Sequence, residues 1–414
     1  MRYKIELSQA IDCCVELPAS KSIGNRALII NALARGAQSG AIDVSLCNVT
    51  HCDDCDVLMA ALTSDSDHIN VGASGTALRF LTAYFAVQDG RTVVLDGTER
   101  LRQRPVGELV DALRQMGADI DYLGQEGFPP LKITGKRLHG SRVVMRGDVS
   151  SQFVSALLMI APLVGGLTLC LDGKIVSRPY IEMTLALMRH YGVQSQFVDN
   201  TITVPAGRYQ IVPLAVEGDW SAAAYWLAFQ ALLPQSHIVL KPLTMNSVQG
   251  DSAMVEIMKP LGVKVQQVSE ELHLSSCEVL LPSHYEREMS ATPDLVPPLV
   301  VTLCLLRIPF TLSGVRTLRI KESDRLAALQ SQLGKLGYEI VINEDSISGT
   351  GRCQAMQGEM VLDSCNDHRI AMSLALAATR HKGLIISGAE AVGKSYPQFW
   401  QQLLGKCHPG DVLN

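Results

Sequence analysis

Aromatic side chains are scarce: Phe, Trp and Tyr make up 5% of the 414 residues, and only three are Trp. A core for so long a chain must therefore be built from aliphatic residues and Ala. No sign of charge dominates, since 36 Lys and Arg stand against 41 Asp and Glu for a net charge of −5. Nothing basic is in excess to draw nucleic acid or an anionic membrane. Long apolar runs are missing too. The most apolar stretches, residues 153–166 and 295–306, are interrupted by Pro and fall short of the roughly 20 residues of a membrane span. Residues 1–22 hold no apolar signal-peptide core. Metal-ligand spacing is absent apart from Cys52-Asp53-Asp54-Cys55, which reads as a redox pair or half a zinc site with no second pair to answer it. The eleven cysteines are odd in number and scattered, as in a reduced intracellular chain. The expectation is a soluble, cytoplasmic protein with no metal site, no nucleic-acid partner and no membrane partner.

What is present is a globular composition, 47% hydrophobic and 19% charged, on a chain long enough for two domains. It repeats. Four amphipathic helix patterns end on Gly117, Gly192, Gly262 and Gly337, at intervals of 75, 70 and 75 residues. Each has apolar residues three and four apart and closes on a Gly suited to the left-handed conformation at a helix end. Between them lie six segments that are apolar on nearly every face: 20–35, 73–87, 149–163, 219–233, 293–306 and 366–379. Helices of that kind are buried. About six copies of a 70-residue unit follow, each with strands, one buried helix and one amphipathic helix, and six divide into two domains of three. Residues 51–72 are short and rich in Cys and Asp, so that unit is expected to lack part of a strand or helix.

The buried helices mostly begin in small polar clusters: Ser20-Lys21-Ser22, Ser74-Gly75-Thr76, Ser150-Ser151-Gln152, Gly218-Asp219 and Asn366-Asp367-His368-Arg369. Such residues cap helices. They also leave N–H groups and a positive dipole end facing outward, which suits an anion. Several clusters carry Lys or Arg where the dipole favours an acid, and a shared anionic ligand accounts for that placement.

PASKSIGNRALIINALARG (residues 18–36) resembles the N-terminal signature of the 5-enolpyruvylshikimate-3-phosphate synthase family, the 3-phosphoshikimate 1-carboxyvinyltransferases. GASGTALR, RQRPVGELVDAL, GDVSSQFVSALLMIAP, SRPYIEMTL, SVQGD, RIKESDR, NDHRIAM and GKSYPQF continue the resemblance in family order to residue 399. It implies an α/β fold of two domains, each of three βαβαββ repeats with buried helices and outer sheets, an inside-out α/β barrel. The domains would be residues 1–19 plus 217–414 and residues 20–216, with the active site in the cleft between them and a hinge where the chain crosses twice. The implied reaction moves the enolpyruvyl group of phosphoenolpyruvate to the 5-hydroxyl of shikimate 3-phosphate and releases phosphate, a step toward chorismate and the aromatic amino acids. The resemblance also implies that glyphosate occupies the phosphoenolpyruvate space.

Two polyanionic substrates call for fixed cations and aimed N–H donors. By the family's motifs, Lys21, Gly75, Arg104, Gln152, Arg325, Arg369 and Lys394 would hold phosphoenolpyruvate. Lys21, Ser22, Arg26, Ser150, Ser151, Gln152, Ser177, Tyr180, Asp294 and Lys321 would hold shikimate 3-phosphate. Lys21, Asp294, Glu322 and Lys394 would be catalytic: Asp294 at the 5-hydroxyl, Glu322 at the methylene proton, and a lysine at the leaving phosphate. No cofactor is required by such acid–base and electrostatic chemistry, and a monomer is expected. Arg79 is open between a structural and a ligand role, while His368 and Asp367 read as structural, Asp367 as a partner of Arg369. Ala73 and Thr317 depart from the Asn that family members often carry. The rivals are the sister transferase acting on UDP-N-acetylglucosamine, whose loop Cys has no counterpart in Gly97–Arg104, and a non-catalytic binding protein of the same fold.

Overall fold

A computed structural model describes residues 1–36, 46–140, 142–354, 360–405 and 412–413. Each segment expected to be a buried helix contains one: Lys21–Arg35, Gly75–Ala86, Ser151–Ile160, Trp220–Leu232, Val296–Leu305 and His368–Ala375. In Val296–Leu305 all ten residues are buried. In Gly75–Ala86 and Trp220–Leu232 only Thr76 and Ser221 escape full burial, and both sit in the first turn. Ala and Leu are the commonest buried residues of these helices.

The amphipathic helices end as their glycines demand. Gly117, Gly192, Gly262 and Gly337 have φ of +93°, +88°, +88° and +86°, a region that side chains with a Cβ rarely enter. One of these helices is shorter than its pattern. Its α-helical part is only Met254–Met258, flanked by the 3-10 turns Gly250–Ala253 and Lys259–Leu261. Pro260 has no N–H to continue the α-helical ladder, so the last turn tightens.

Five four-stranded sheets share one pattern, a parallel pair at one edge followed by two antiparallel pairings. Strand His68–Asn70, helix Gly75–Ala86 and the parallel strand Thr92–Asp96 make one crossover; helix Gly107–Gln115 and the hairpin Asp119–Tyr122 with Leu131–Thr134 complete the βαβαββ unit. Residues 142–205 and 285–353 repeat it in the same order. The sixth sheet, among the described residues, has two strands, Leu46–Cys47 parallel to Leu214–Ala215. Among the described residues the short unit pairs only these two short strands, and Asp53–Thr63 forms a helix there, with three acids in its first turn.

The chain divides into two compact units, Met1–Pro18 with Glu217–Asn414 and Ala19–Val216. Each has its own hydrophobic core and three of the six sheets. Strand Arg2–Ile5 reaches the first unit by pairing antiparallel with Leu384–Ser387. No helix among the described residues is long and apolar enough to cross a membrane.

Candidate active site

In the Ala19–Val216 unit, three inner helices pack against one another and begin with the residues singled out above. None has an acid in its first turn. Ser20 caps the first, accepting from the Ile23 N–H at 3.4 Å, so that Lys21 and Ser22 open the helix. Lys21 is nine-tenths buried, and its Nζ lies 3.0 Å from Asp54 Oδ2. Asp54 sits between the two cysteines of the CxxC, both of which are free and buried. Sequence reasoning missed Asp54, because its surroundings pointed to metal or redox chemistry. Cys47 belongs to the same cluster, and its side chain lies outside the described residues.

Gly75 opens the second helix, under the Ser74 cap. A Cβ there would meet the guanidinium of Arg79 and, at 2.6 Å, Nη1 of Arg104. Gly75 and Arg104 are therefore neighbours, and the missing side chain is what admits both guanidiniums. Arg79 resolves to a scaffold role: Nη1 donates to Gly75 O at 2.9 Å and Nη2 to Pro105 O at 3.1 Å, with the group over the Phe153 ring. Ser150 caps the third helix, and Gln152 in its first turn donates to Thr76 Oγ1 at 3.0 Å. Thr76 is a second partner that the motifs did not single out.

Arg26 behaves differently from a surface ligand-binding arginine. Its Nε donates to Thr184 Oγ1 at 2.7 Å, Nη1 to Ser22 O at 2.8 Å, and Nη2 to Ser155 Oγ at 3.2 Å and Tyr180 O at 3.4 Å. Burial lowers its pKa to about 10, against the raising influence of Tyr180, so it remains charged at neutral pH. Arg26 ties Ser22 to Tyr180. Ser177 precedes Tyr180 at a helix start with φ of +54°, and its hydroxyl makes no capping bond.

In the other unit, one arginine gathers three carboxylates. Arg325, whose side chain is 1% exposed, bonds Asp294 Oδ1 at 2.9 Å, Glu322 Oε2 at 2.8 Å and Asp367 Oδ2 at 2.8 Å. Arg369 bonds the second oxygen of Asp294 at 2.8 Å. Asp367 caps its helix by accepting from the Arg369 N–H, a structural partner of Arg369 as expected, and its carboxylate also accepts from Arg325 and from Ser323 Oγ. Burial pushes the Asp294 carboxyl up, yet the charges of Arg369, Lys321 and Arg325 together outweigh it and hold it well below the usual carboxylate range. Burial opposes the Arg325 charge, and Asp367, Glu322 and Asp294 reverse that. Lys394, 8% exposed, ends the turn Ala389–Lys394, which packs on helix His368–Ala375. His368 is buried beside Asp367, in keeping with a structural role.

The family model for EPSP synthase (3-phosphoshikimate 1-carboxyvinyltransferase) matches residues 62–403. The chain belongs to the EPSP synthase family. A 3-phosphoshikimate 1-carboxyvinyltransferase of Bacteroides fragilis is 43% identical over 406 residues, covering 97% of each chain. The enzyme of that name from Cellvibrio japonicus is 36% identical over 416 residues, covering 93% of this chain and 95% of its own. Among solved structures, an EPSP synthase from Acinetobacter baumannii superposes with a TM-score of 0.77 at 22% identity and full coverage of both chains. The enolpyruvyl transferase NikO of Streptomyces tendae superposes with a TM-score of 0.73 at 14% identity, covering 98% of this chain and 97% of its own. At those identities the likeness is one of fold. In this EPSP synthase family member the charged groups of the motifs are all present.

Proposed function

We propose that this transferase moves the enolpyruvyl group of phosphoenolpyruvate to the 5-hydroxyl of shikimate 3-phosphate and releases phosphate. The observation that carries the reading beyond family membership is Asp294, clamped between Arg325 and Arg369 with Glu322 on the same Arg325. Two arginines saturated by carboxylates form a site that a planar carboxylate or a phosphate can take over, oxygen for oxygen. When phosphoenolpyruvate binds Arg325 and Arg369, Asp294 is released toward the 5-hydroxyl and Glu322 toward the methylene carbon.

The reaction is addition followed by elimination. The 5-hydroxyl oxygen attacks C2 of phosphoenolpyruvate as Asp294 takes its proton, and C3 gains a proton from Glu322. A tetrahedral ketal results. Glu322 then removes a C3 proton, the C2–O bond to phosphate breaks, Lys21 or Lys394 neutralises the leaving group, and the phosphate carries away the proton that Asp294 had taken. In the other unit, Lys21, Arg104, Gln152 and the Gly75 N–H contact phosphoenolpyruvate, while Lys21, Ser22, Ser150, Ser151, Gln152, Ser177 and Tyr180 contact shikimate 3-phosphate with Lys321. Arg26 acts on that ligand by fixing Ser22 and Tyr180. Both sets serve the same pair of anions. A monomeric, cytoplasmic enzyme completes the reading, resting on sequence alone.

The deciding assay is phosphate release from phosphoenolpyruvate dependent on added shikimate 3-phosphate. Release that requires UDP-N-acetylglucosamine instead would favour the sister transferase. Binding of both substrates without release would return the chain to a binding role.

A further inference from the structure

The Ser-Val-Gln-Gly-Asp segment, residues 247–251, has no task in the reaction above. It docks on the start of helix Trp220–Leu232. Ser247 Oγ donates to Glu217 Oε1 at 2.5 Å, and Gln249 Nε2 donates to the same oxygen at 2.8 Å and to Gly218 O at 2.7 Å. Gln249 Oε1 accepts from the Trp220 N–H at 3.1 Å. This docking delivers Asp251, 3% exposed, to Ser221, whose hydroxyl donates to Asp251 Oδ2. Ser221 Oγ in turn accepts from Arg369 Nη2 at 3.3 Å, the nitrogen that also holds Asp294. A serine hydroxyl has one proton. With that proton committed to Asp251, only lone pairs face Arg369.

We propose that Asp251 is a positioning residue for phosphoenolpyruvate: through Ser221 it fixes the Arg369 guanidinium without touching substrate. The inference rests on the reading that Arg369 binds phosphoenolpyruvate. It also answers a problem in that reading. When Asp294 leaves Arg369 to meet the 5-hydroxyl, Asp251 remains as the counter-anion one serine away.

The groups facing Asp251 are Ser221 and Asp219 at the start of the docked helix, Asp294 before helix Val296–Leu305, and Arg369 at the start of His368–Ala375. Burial, with the charges of Asp294 and Asp219, raises the Asp251 carboxyl to about 6 against the opposing influence of Arg369 and the Ser221 bond. Asp251 is ionised at pH 7.5 and takes a proton below about pH 6. Once neutral, it no longer commits the serine proton.

The test compares wild type with Asp251→Asn, which keeps the shape and removes the charge. At pH 7.5 the KM for phosphoenolpyruvate is expected to rise about tenfold, with kcat and the KM for shikimate 3-phosphate within about twofold. At pH 5.5 the gap between the two proteins should narrow, because most of wild-type Asp251 is then protonated as well. Phosphoenolpyruvate's own ionisation is the same for both proteins and cancels in the ratio. Ser221→Ala should reproduce the rise at pH 7.5. A ratio constant with pH, or equal rises in both KM values, would overturn the inference and leave Asp251 as a loop anchor. Absence of substrate-dependent phosphate release in wild type would overturn the underlying reading first.

Discussion

Lys21 keeps a charge in a nine-tenths buried place because Asp54 stands 3.0 Å away. A buried pair of this kind holds a charge in position rather than adding much stability. Lys21→Met removes a cation aimed at both substrates, and turnover is expected to fall on the order of a hundredfold or more by the phosphate-release assay. The melting temperature should fall too, since Asp54 is left buried without its lysine. Wild-type turnover in this variant would mean that Ser20-Lys21-Ser22 does no more than start a helix. At this scale the charged residues of the motifs were legible, because chemistry with two polyanions admits few side-chain types. Their partners were not. Asp54 lies 33 residues from Lys21 and Asp251 118 residues from Arg369, and no local pattern links them. Asp367 does accept from the N–H of its neighbour Arg369, but the guanidinium on its carboxylate comes from Arg325, 42 residues away.

Helix starts are the elements that carry the chemistry, and Gly75 shows what each must leave out. A Gly at that start lets a ligand approach the backbone without a Cβ in the way. The structure puts two guanidiniums against the Gly75 α-carbon, those of Arg79 and Arg104. A methyl there forces arginine ends to shift rather than backbone, so Gly75→Ala should fold, with a melting temperature lowered by the displacement of buried Arg79. Arg104 would be displaced from the phosphoenolpyruvate anion. The KM for phosphoenolpyruvate is expected to rise about tenfold, the loss of one charge-assisted contact. Glyphosate, the longer anion, should weaken by a larger factor, read as its inhibition constant in competition with phosphoenolpyruvate. Equal factors for the two ligands would assign the whole effect to Arg104 and none to crowding. The elements themselves were largely legible, since all-round apolar segments bounded by Ser, Thr, Asn or Asp admit only buried helices. The shortened helix at Met254–Met258 was not, although Pro260 was in plain view. Its amphipathic spacing outweighed the local breaker in the reading, and in the fold the breaker prevails.

The repeat that emerged from glycine spacing is the organisation of the whole molecule: three sheets and one core in each of two units. What repetition could not supply was which strand joins which sheet. Asp12–Glu16 pairs parallel with His237–Lys241, more than 200 residues on, and Arg2–Ile5 with Leu384–Ser387. Such pairings rest on burial across long stretches of chain, which periodicity does not encode. The chain passes between its units only at Pro18–Ala19 and Val216–Glu217, so two short segments carry any change in their relation. Lys21 and Arg104 belong to one unit and Lys321, Arg325, Arg369 and Lys394 to the other. On the proposed reaction both groups of cations serve one pair of anions. Ligands that bridge the two groups should then shift the population toward a state in which both groups reach them. Small-angle X-ray scattering should show a smaller radius of gyration with shikimate 3-phosphate and glyphosate together than with neither. Added salt at the same ionic strength should not reproduce the change, because screening does not bridge the two groups. In Lys21→Met the compaction should need more ligand, as one bridging cation is gone. An unchanged radius at saturating ligand, in a protein that turns over normally, would show that both groups reach their anions without movement of the units.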